Sequence, residues 1–239
     1  MSLPPDVPSD RIGVDAIPSN WTFENSQVAK GFQRHVRETL PWYDLATGVV
    51  AHLARHYIPD GGVVYDIGAS VGNIGNILRP TLEARKAKFT PIESSAEMCK
   101  LYAGPGEVVH TDAMEFKYEQ FDCAILFLVM MFMPAATRVD WLKELAKKIK
   151  PGGCIIVFDK FLMDGNPYVA TALRRLTMAG KVSTGMGSDE IVAKELSLEG
   201  VQRPLPMSLF RYLSPYPVPV FQFGEFSGFI LERTEFGPG

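Results

Sequence analysis

The chain has 239 residues, long enough for one large domain with a sizeable buried core. Hydrophobic residues make up 46% and charged residues 21%, the balance of an ordinary soluble globular protein. A net charge of −3 supplies no overall basic surface, which argues against tight nonspecific binding to nucleic acid.

Cys99, Cys123 and Cys154 lack the spacing of metal ligands and read as reduced, buried thiols of a cytoplasmic protein, so no metal site is expected. The opening Met1-Ser2-Leu3-Pro4-Pro5-Asp6 has no basic stretch followed by an apolar one, so no signal peptide is expected. The longest apolar run, Cys123 to Ala136, is too short to cross a bilayer, and no membrane association is expected.

Residues 1–20 are rich in Pro, Asp and Ser and read as an irregular lead-in to a single domain over 21–239. Val28, Phe32, Val36 and Leu40 recur every four residues and predict a helix over Asn25–Leu40, which Pro41 stops. A second helix is expected over Leu45–Tyr57, ended by Pro59-Asp60-Gly61-Gly62. Strands are then expected at Val63–Ile67, Lys88–Glu93, Glu107–Thr111, Phe121–Leu128 and Cys154–Phe158. The helices between them are expected at Asn73–Leu82, Ser95–Tyr102 and Arg138–Ile149, the last closed by a turn at Lys150-Pro151-Gly152-Gly153. This alternation implies a parallel sheet with helices on both faces. Residues 161–217 read as a helical and then proline-rich cap, interrupted at Gly185-Met186-Gly187. Val220–Phe223 and Gly228–Glu232 predict a terminal hairpin turning at Gly224.

The segment Asp66-Ile67-Gly68-Ala69-Ser70-Val71-Gly72 carries most information about function. It is a strand end, an acid, and a turn with almost no side-chain bulk, so a ligand can lie against its backbone. Asp66, Glu93 and Asp112 end or follow successive strands and are expected along one crevice. Glu93, 21 residues after Gly72, has the position of an acid that accepts hydrogen bonds from a ribose diol. Asp112 is placed to meet the exocyclic amine of an adenine, with Met98, Ala113 and Met114 around the ring. Ser94, Ser95 and Asp112 equally suit helix N-caps. A dinucleotide would call for G-x-G-x-x-G, and a phosphate loop for G-x-x-x-x-G-K-[ST]; neither is present, so an adenosyl ligand without phosphates fits better.

These motifs resemble the first two of class I S-adenosylmethionine (SAM)-dependent methyltransferases, and Lys150-Pro151-Gly152-Gly153 resembles their turn into the fifth strand. The resemblance covers about residues 60–160 and the terminal hairpin. It implies a Rossmann-like α/β fold: a seven-stranded, mostly parallel sheet with a helical cap and a C-terminal antiparallel hairpin. It also implies SAM bound by Asp66, Gly68, Ala69, Ser70, Gly72, Glu93, Ser94, Met98, Asp112, Ala113 and Leu128.

A narrower resemblance, to the carboxy-S-adenosylmethionine synthase family, extends beyond these motifs. It rests on Trp21-Thr22-Phe23-Glu24, Glu38-Thr39-Leu40-Pro41-Trp42-Tyr43, Asp159-Lys160-Phe161, Asp189-Glu190-Ile191 with Lys194, and Leu198-Glu199. It implies capture of CO2 from prephenate by a SAM-derived ylide, giving carboxy-SAM for wobble-uridine modification of tRNA. An arginine holds the added carboxylate in that family; Arg211 is the nearest match and Arg203 a weaker one, with Tyr43 as a second candidate catalytic residue.

The expected activity is a SAM-dependent transferase, with carboxy-SAM synthesis or a non-catalytic SAM-binding scaffold as alternatives. The expected partner is a small, anionic molecule rather than nucleic acid, and a homodimer is admitted. Arg34 and Arg37 with Trp42 and Tyr43 suit an anionic-substrate pocket as well as a solvated helix face. His52 and His56, four residues apart, read as solvated or half-buried, and Met130, Met131 and Met133 suit core packing or a substrate pocket.

Overall fold

The computed structural model describes residue 17 and residues 21–234. The expected lead-in over 1–20 therefore lies outside the described residues, Ile17 apart. In chain order the elements are α1 (Ser26–Thr39), α2 (Tyr43–Tyr57), β1 (Val63–Ile67), α3 (Asn73–Ala84), β2 (Lys88–Glu93), α4 (Ala96–Lys100), β3 (Val109–His110) and β4 (Phe121–Phe127). They continue with α5 (Arg138–Ala146), β5 (Ile149–Leu162), α6 (Pro167–Ser183), α7 (Ser188–Ser197), β6 (Leu205–Pro206), α8 (Met207–Phe210), β7 (Pro217–Phe223) and β8 (Phe226–Glu232).

The sheet runs in the order β3-β2-β1-β4-β5-β8-β7, with β6 paired to the end of β5 as an eighth strand. β1 to β5 pair in parallel, and β8 and β7 are antiparallel additions. This is the expected Rossmann-like α/β arrangement. From β1 the chain moves outward through β2 and β3, then crosses back to place β4 on the other side of β1. A crevice therefore opens beyond the carboxyl ends of β1 and β4, where open α/β sheets bind ligands.

The central strands are mostly apolar because both sheet faces are covered, with Asp66 and Asp159 as buried exceptions toward their carboxyl ends. Successive side chains alternate faces. Val64, Cys123, Ile125, Cys154, Ile156 and Phe158 join the core built with α2 and α3. Tyr65, Ile67, Ala124, Leu126, Ile155 and Val157 join the core on the α5 side.

Several boundaries differ from expectation: β3 keeps only Val109–His110 of the expected Glu107–Thr111, α5 ends at Ala146 rather than Ile149, and the two largest changes lie in β5 and the hairpin. The segment Lys150-Pro151-Gly152-Gly153 is not a turn ahead of the fifth strand but part of β5. The β4 partner of Ile149 is Phe121 and that of Cys154 is Cys123, so five steps on β5 face two on β4 and the extra residues bulge outward. Gly152 N–H donates to the Arg233 carbonyl (2.7 Å) and Arg233 N–H to the Gly153 carbonyl (2.9 Å), so the bulge stays paired. The hairpin is also longer than its apolar runs suggest. β7 begins at Pro217 and includes Pro219, which the sheet tolerates because β7 is an edge strand.

Candidate functional site

The site is built around the turn after β1. Gly68, Ser70 and Gly72 all have positive φ (74°, 51° and 95°), which reverses the chain within a few residues before α3 begins. Gly68 N–H (2.8 Å) and Ala69 N–H (2.9 Å) both donate to the Ile92 carbonyl, so the turn is pinned to β2. A Cβ on Gly68 would collide with the Val129 side chain, so the close approach there requires glycine.

Glu93 ends β2 and closes on the same turn. Its Oε2 accepts from Ser70 N–H (2.8 Å) and its Oε1 from Ser95 N–H (2.9 Å). Burial raises the Glu93 carboxyl above the usual carboxylate range, and these backbone donors pull it back. Ser95 caps α4 by accepting from Met98 N–H (3.2 Å) and donates to the Phe23 carbonyl (2.8 Å), tying the segment ahead of α1 across the cleft.

Asp66 is 1% exposed, and its Oδ2 has no hydrogen-bond partner among the described residues. Burial first, then the neighbouring Glu93 charge, push its carboxyl up to about 7, partly offset by the backbone N–H of Gly75. A buried carboxylate oxygen without a donor, at the base of a cleft, is an acceptor that a ligand can satisfy.

Asp66, Gly68, Ala69, Ser70, Glu93, Ser94 and Met98 line one cleft with Tyr43 and Leu128. Leu128 follows β4 with φ 61°, an uncommon value for leucine. Its N–H donates to the Phe158 carbonyl (2.7 Å), and the bend carries Val129 over Gly68. Asp112 and Ala113 line an adjoining recess, which shares Gly68, Ser94, Val129 and Phe132 with the main cleft. Asp112 braces the turn after it, Oδ1 accepting from Met114 N–H (2.7 Å), but no helix follows there, so the expected N-cap is not formed and the residue stabilises a turn beside the recess.

Two expected site residues stand elsewhere. Gly72 does not line the cleft. It enters α3 at its left-handed φ and faces Gly104, whose backbone N would lie 2.5 Å from an added Cβ, so it serves turn and packing. Arg211 is exposed where α8 ends, outside the residues lining the cleft, with Asp164 as its electrostatic neighbour. The direction of a side chain across a proline-rich segment does not follow from its spacing to the hairpin. Arg203 ties loops instead: its N–H donates to the Met131 carbonyl (2.7 Å) and its Nε to the Gly200 carbonyl (3.1 Å).

Arg37 donates to Asp44 (2.9 Å) and Asn73 (2.9 Å), joining α1 to α2 and α3, while Trp42 packs on Phe158 and Phe226. The arginines of α1 and Trp42 thus do not assemble into a pocket; Tyr43 alone of that group reaches the cleft. Burial pushes the Tyr43 phenol up to about 12, against the opposing effect of Arg37, so it remains a neutral hydroxyl. Met130 and Met131 are buried in the core. Phe23, Phe32, Asn73, Val129 and Phe132 also line the cleft. Asn73 directly follows the Asp66–Gly72 segment, a position from which it could have been inferred, whereas the three phenylalanines meet only through folding.

Comparisons with known proteins bear on the domain and the fold. A methyltransferase domain model matches residues 65–157. The carboxy-S-adenosyl-L-methionine synthase of Staphylococcus epidermidis is 24% identical over 201 residues, 80% of this chain and 85% of that protein. The enzyme of that name from Shewanella pealeana is 26% identical over 196 residues, 78% of this chain and 79% of that protein. Among solved structures, an O-methyltransferase family protein from Burkholderia thailandensis superposes with a TM-score of 0.55 at 12% identity, over 89% of this chain and 61% of that one. Human N-acetylserotonin methyltransferase in complex with SAM gives 0.54 at 14% identity, over 95% of this chain and 60% of that one. The chain thus spans about three fifths of the length of these solved proteins, with which it shares the fold.

Proposed function

We propose that this chain, which matches a methyltransferase domain over residues 65–157 and shares the fold of solved methyltransferases, is a transferase using SAM as its group donor. The observation that carries this reading is the glycine turn at the β1/β4 crossover, closed by Glu93 and floored by the unpartnered Asp66 oxygen. SAM fits these residues. Asp66 offers an acceptor to an ammonium or hydroxyl donor, and Glu93 keeps lone pairs for a ribose diol beyond the two amides it already binds. Met98 and the recess beside Asp112 and Ala113 offer a wall for the base.

When bound, SAM supplies a one-carbon group already activated by its sulfonium. The chain then has to bind, align and exclude water, and no catalytic triad is needed. Phe23, Phe32 and Phe132 give the cleft an aromatic wall suited to keeping water out. Tyr43 contributes a neutral hydroxyl that receives Asn73 Nδ2 at 3.4 Å.

A second reading is synthesis of carboxy-SAM from SAM and prephenate, favoured by the curated relatives of that name. With Arg211 exposed outside the cleft, the added carboxylate would need a different cation. Mass spectrometry of the small molecule released from purified protein tests both readings. SAM or S-adenosylhomocysteine is expected from a methyltransferase. Carboxy-SAM, formed again when SAM and prephenate are added, would replace it with the second reading. Protein that carries no adenosyl compound and takes up none would contradict both and favour a scaffold.

A further inference from the structure

Phe23, Phe32, Leu128 and Phe132 line two cavities at once. One is the cleft described above. The other reaches Trp21 and carries four basic side chains from four elements: His35 of α1, Lys160 of β5, Lys181 of α6 and Lys194 of α7. Trp21 is held there by its N–H, which donates to the Ser197 carbonyl at the end of α7 (2.9 Å).

The charges around this cavity do not balance. Lys181 Nζ donates to Glu195 Oε1 (2.6 Å). Lys160 Nζ donates to Gln202 (2.9 Å) and lies 3.8 Å from Glu225 Oε2. Both carboxylates also face Arg174, at 3.1 and 3.6 Å. Two acids therefore answer three cations. Lys194 is 8% exposed, and its Nζ has no hydrogen-bond partner among the described residues; it lies against the face of Trp21. The His35 ring flanks the same indole at 5.7 Å between centroids, and its Nε2 is likewise without a partner among the described residues. Burying such groups unpaired costs several kcal/mol each on the usual scale, a cost that a ligand accepting from them would remove.

We propose that this second cavity is the acceptor pocket and that Lys194 anchors a single carboxylate carried on a ring-sized apolar body. This rests on the cofactor reading of the adjoining cleft, because only then do the shared phenylalanines place the acceptor's other end beside the transferred group. One unanswered amine among aromatic walls suits a monoanion; a phosphate draws several charged donors at once. Lys194 does not line the cofactor cleft, so it positions and selects the acceptor and takes no part in the transfer itself.

The amine's own environment adds a distinctive readout. Burial, then repulsion from Lys181, hold it down to about 6 against the attraction of Glu195, while His35 is held at about 4 by burial and by Lys194 and Lys181. Lys160, Arg174 and Glu225 complete the charged groups around the pocket. At pH 7.5 the empty pocket therefore holds a largely unprotonated Lys194, and a carboxylate arriving beside it draws a proton onto the amine.

The test titrates cinnamate and the neutral cinnamamide into wild-type protein and Lys194→Met. Calorimetry is run at pH 7.5 in two buffers of different ionisation enthalpy. Wild type is expected to prefer cinnamate by tenfold or more, taking up close to one proton. Lys194→Met is expected to lose both the preference and the proton uptake while still binding SAM. The preference is a ratio within each protein, so a general loss of folding cannot imitate it. A preference that survives in Lys194→Met, or is absent from wild type, overturns the proposal. A carboxylate preference in protein that binds no SAM would instead count against the cofactor reading, and with it the acceptor role of the pocket.

Discussion

At the scale of single residues, the cleft depends on two carboxyl groups with different surroundings. Glu93 is engaged by the Ser70 and Ser95 amides, so it shapes the turn as well as facing a ligand. Asp66 is buried with an oxygen unmet, and its carboxyl is held up to about 7. The folded protein thus holds this proton more tightly than the unfolded chain, whose ordinary aspartate titrates near 4. The stability associated with it is present at low pH and is lost as pH rises from about 4 to 7. A cationic ligand reverses the preference, because it binds the carboxylate and must displace the proton. SAM affinity is therefore expected to rise with pH between 6 and 8, approaching tenfold per unit on the acid side. Calorimetric titrations across that range check it, and Asp66→Asn is expected to flatten the profile.

At the scale of elements, the end of β5 organises the end of β4. Asp159 is fully buried, and its carboxylate accepts from Val129 (3.1 Å), Met130 (2.7 Å) and Met131 (3.3 Å) N–H, as well as from its own neighbour Lys160 (2.8 Å). Burial nevertheless outweighs these donors and holds the carboxyl up to about 7. This cluster fixes the segment that brings Val129 over Gly68 and Phe132 to the junction of the two cavities. Asp159→Ala leaves several buried amides without an acceptor. At about 1 kcal/mol or more for each unpaired group, we expect a loss of about 3 kcal/mol, with the melting temperature falling by about 6–12 °C. Thermal unfolding measures it, and an unchanged melting temperature would remove the organising role from Asp159.

The limits of β1 and β2 were legible in the sequence because short apolar runs stand between glycine-rich turns and polar breaks. The limits of β5 were not. Pro151-Gly152-Gly153 has turn chemistry, and only pairing with Arg233, distant in the chain, keeps it in the sheet.

At the scale of the molecule, the strand order creates the site. β1 and β4 are separated in the chain by the 53 residues 68–120, yet they lie side by side.

 What brings the glycine turn and Leu128 together is the crossover, which the alternation of strands and helices already implied.

The lining of the cleft at the strand ends was therefore readable. Asp66, the glycine turn and Glu93 sit at strand ends whose neighbours are fixed by topology. The second cavity was not readable. Trp21, His35, Lys160, Lys181 and Lys194 come from separate elements, and no local pattern says that one amine is left unanswered. Arg211 is exposed at the end of α8, outside the cleft lining, a placement that spacing along a proline-rich segment does not give. Among the described residues, no helix is long and apolar enough to cross a membrane.

The central claim is that the cleft at the β1/β4 crossover binds SAM through Glu93. Calorimetric titration of SAM into wild-type protein and Glu93→Gln at pH 8 tests it most directly, with circular dichroism to verify that both are folded. One SAM per chain is expected, with affinity lowered tenfold or more in the variant. Folded wild-type protein that takes up no SAM, or a variant that binds it equally well, would contradict the account.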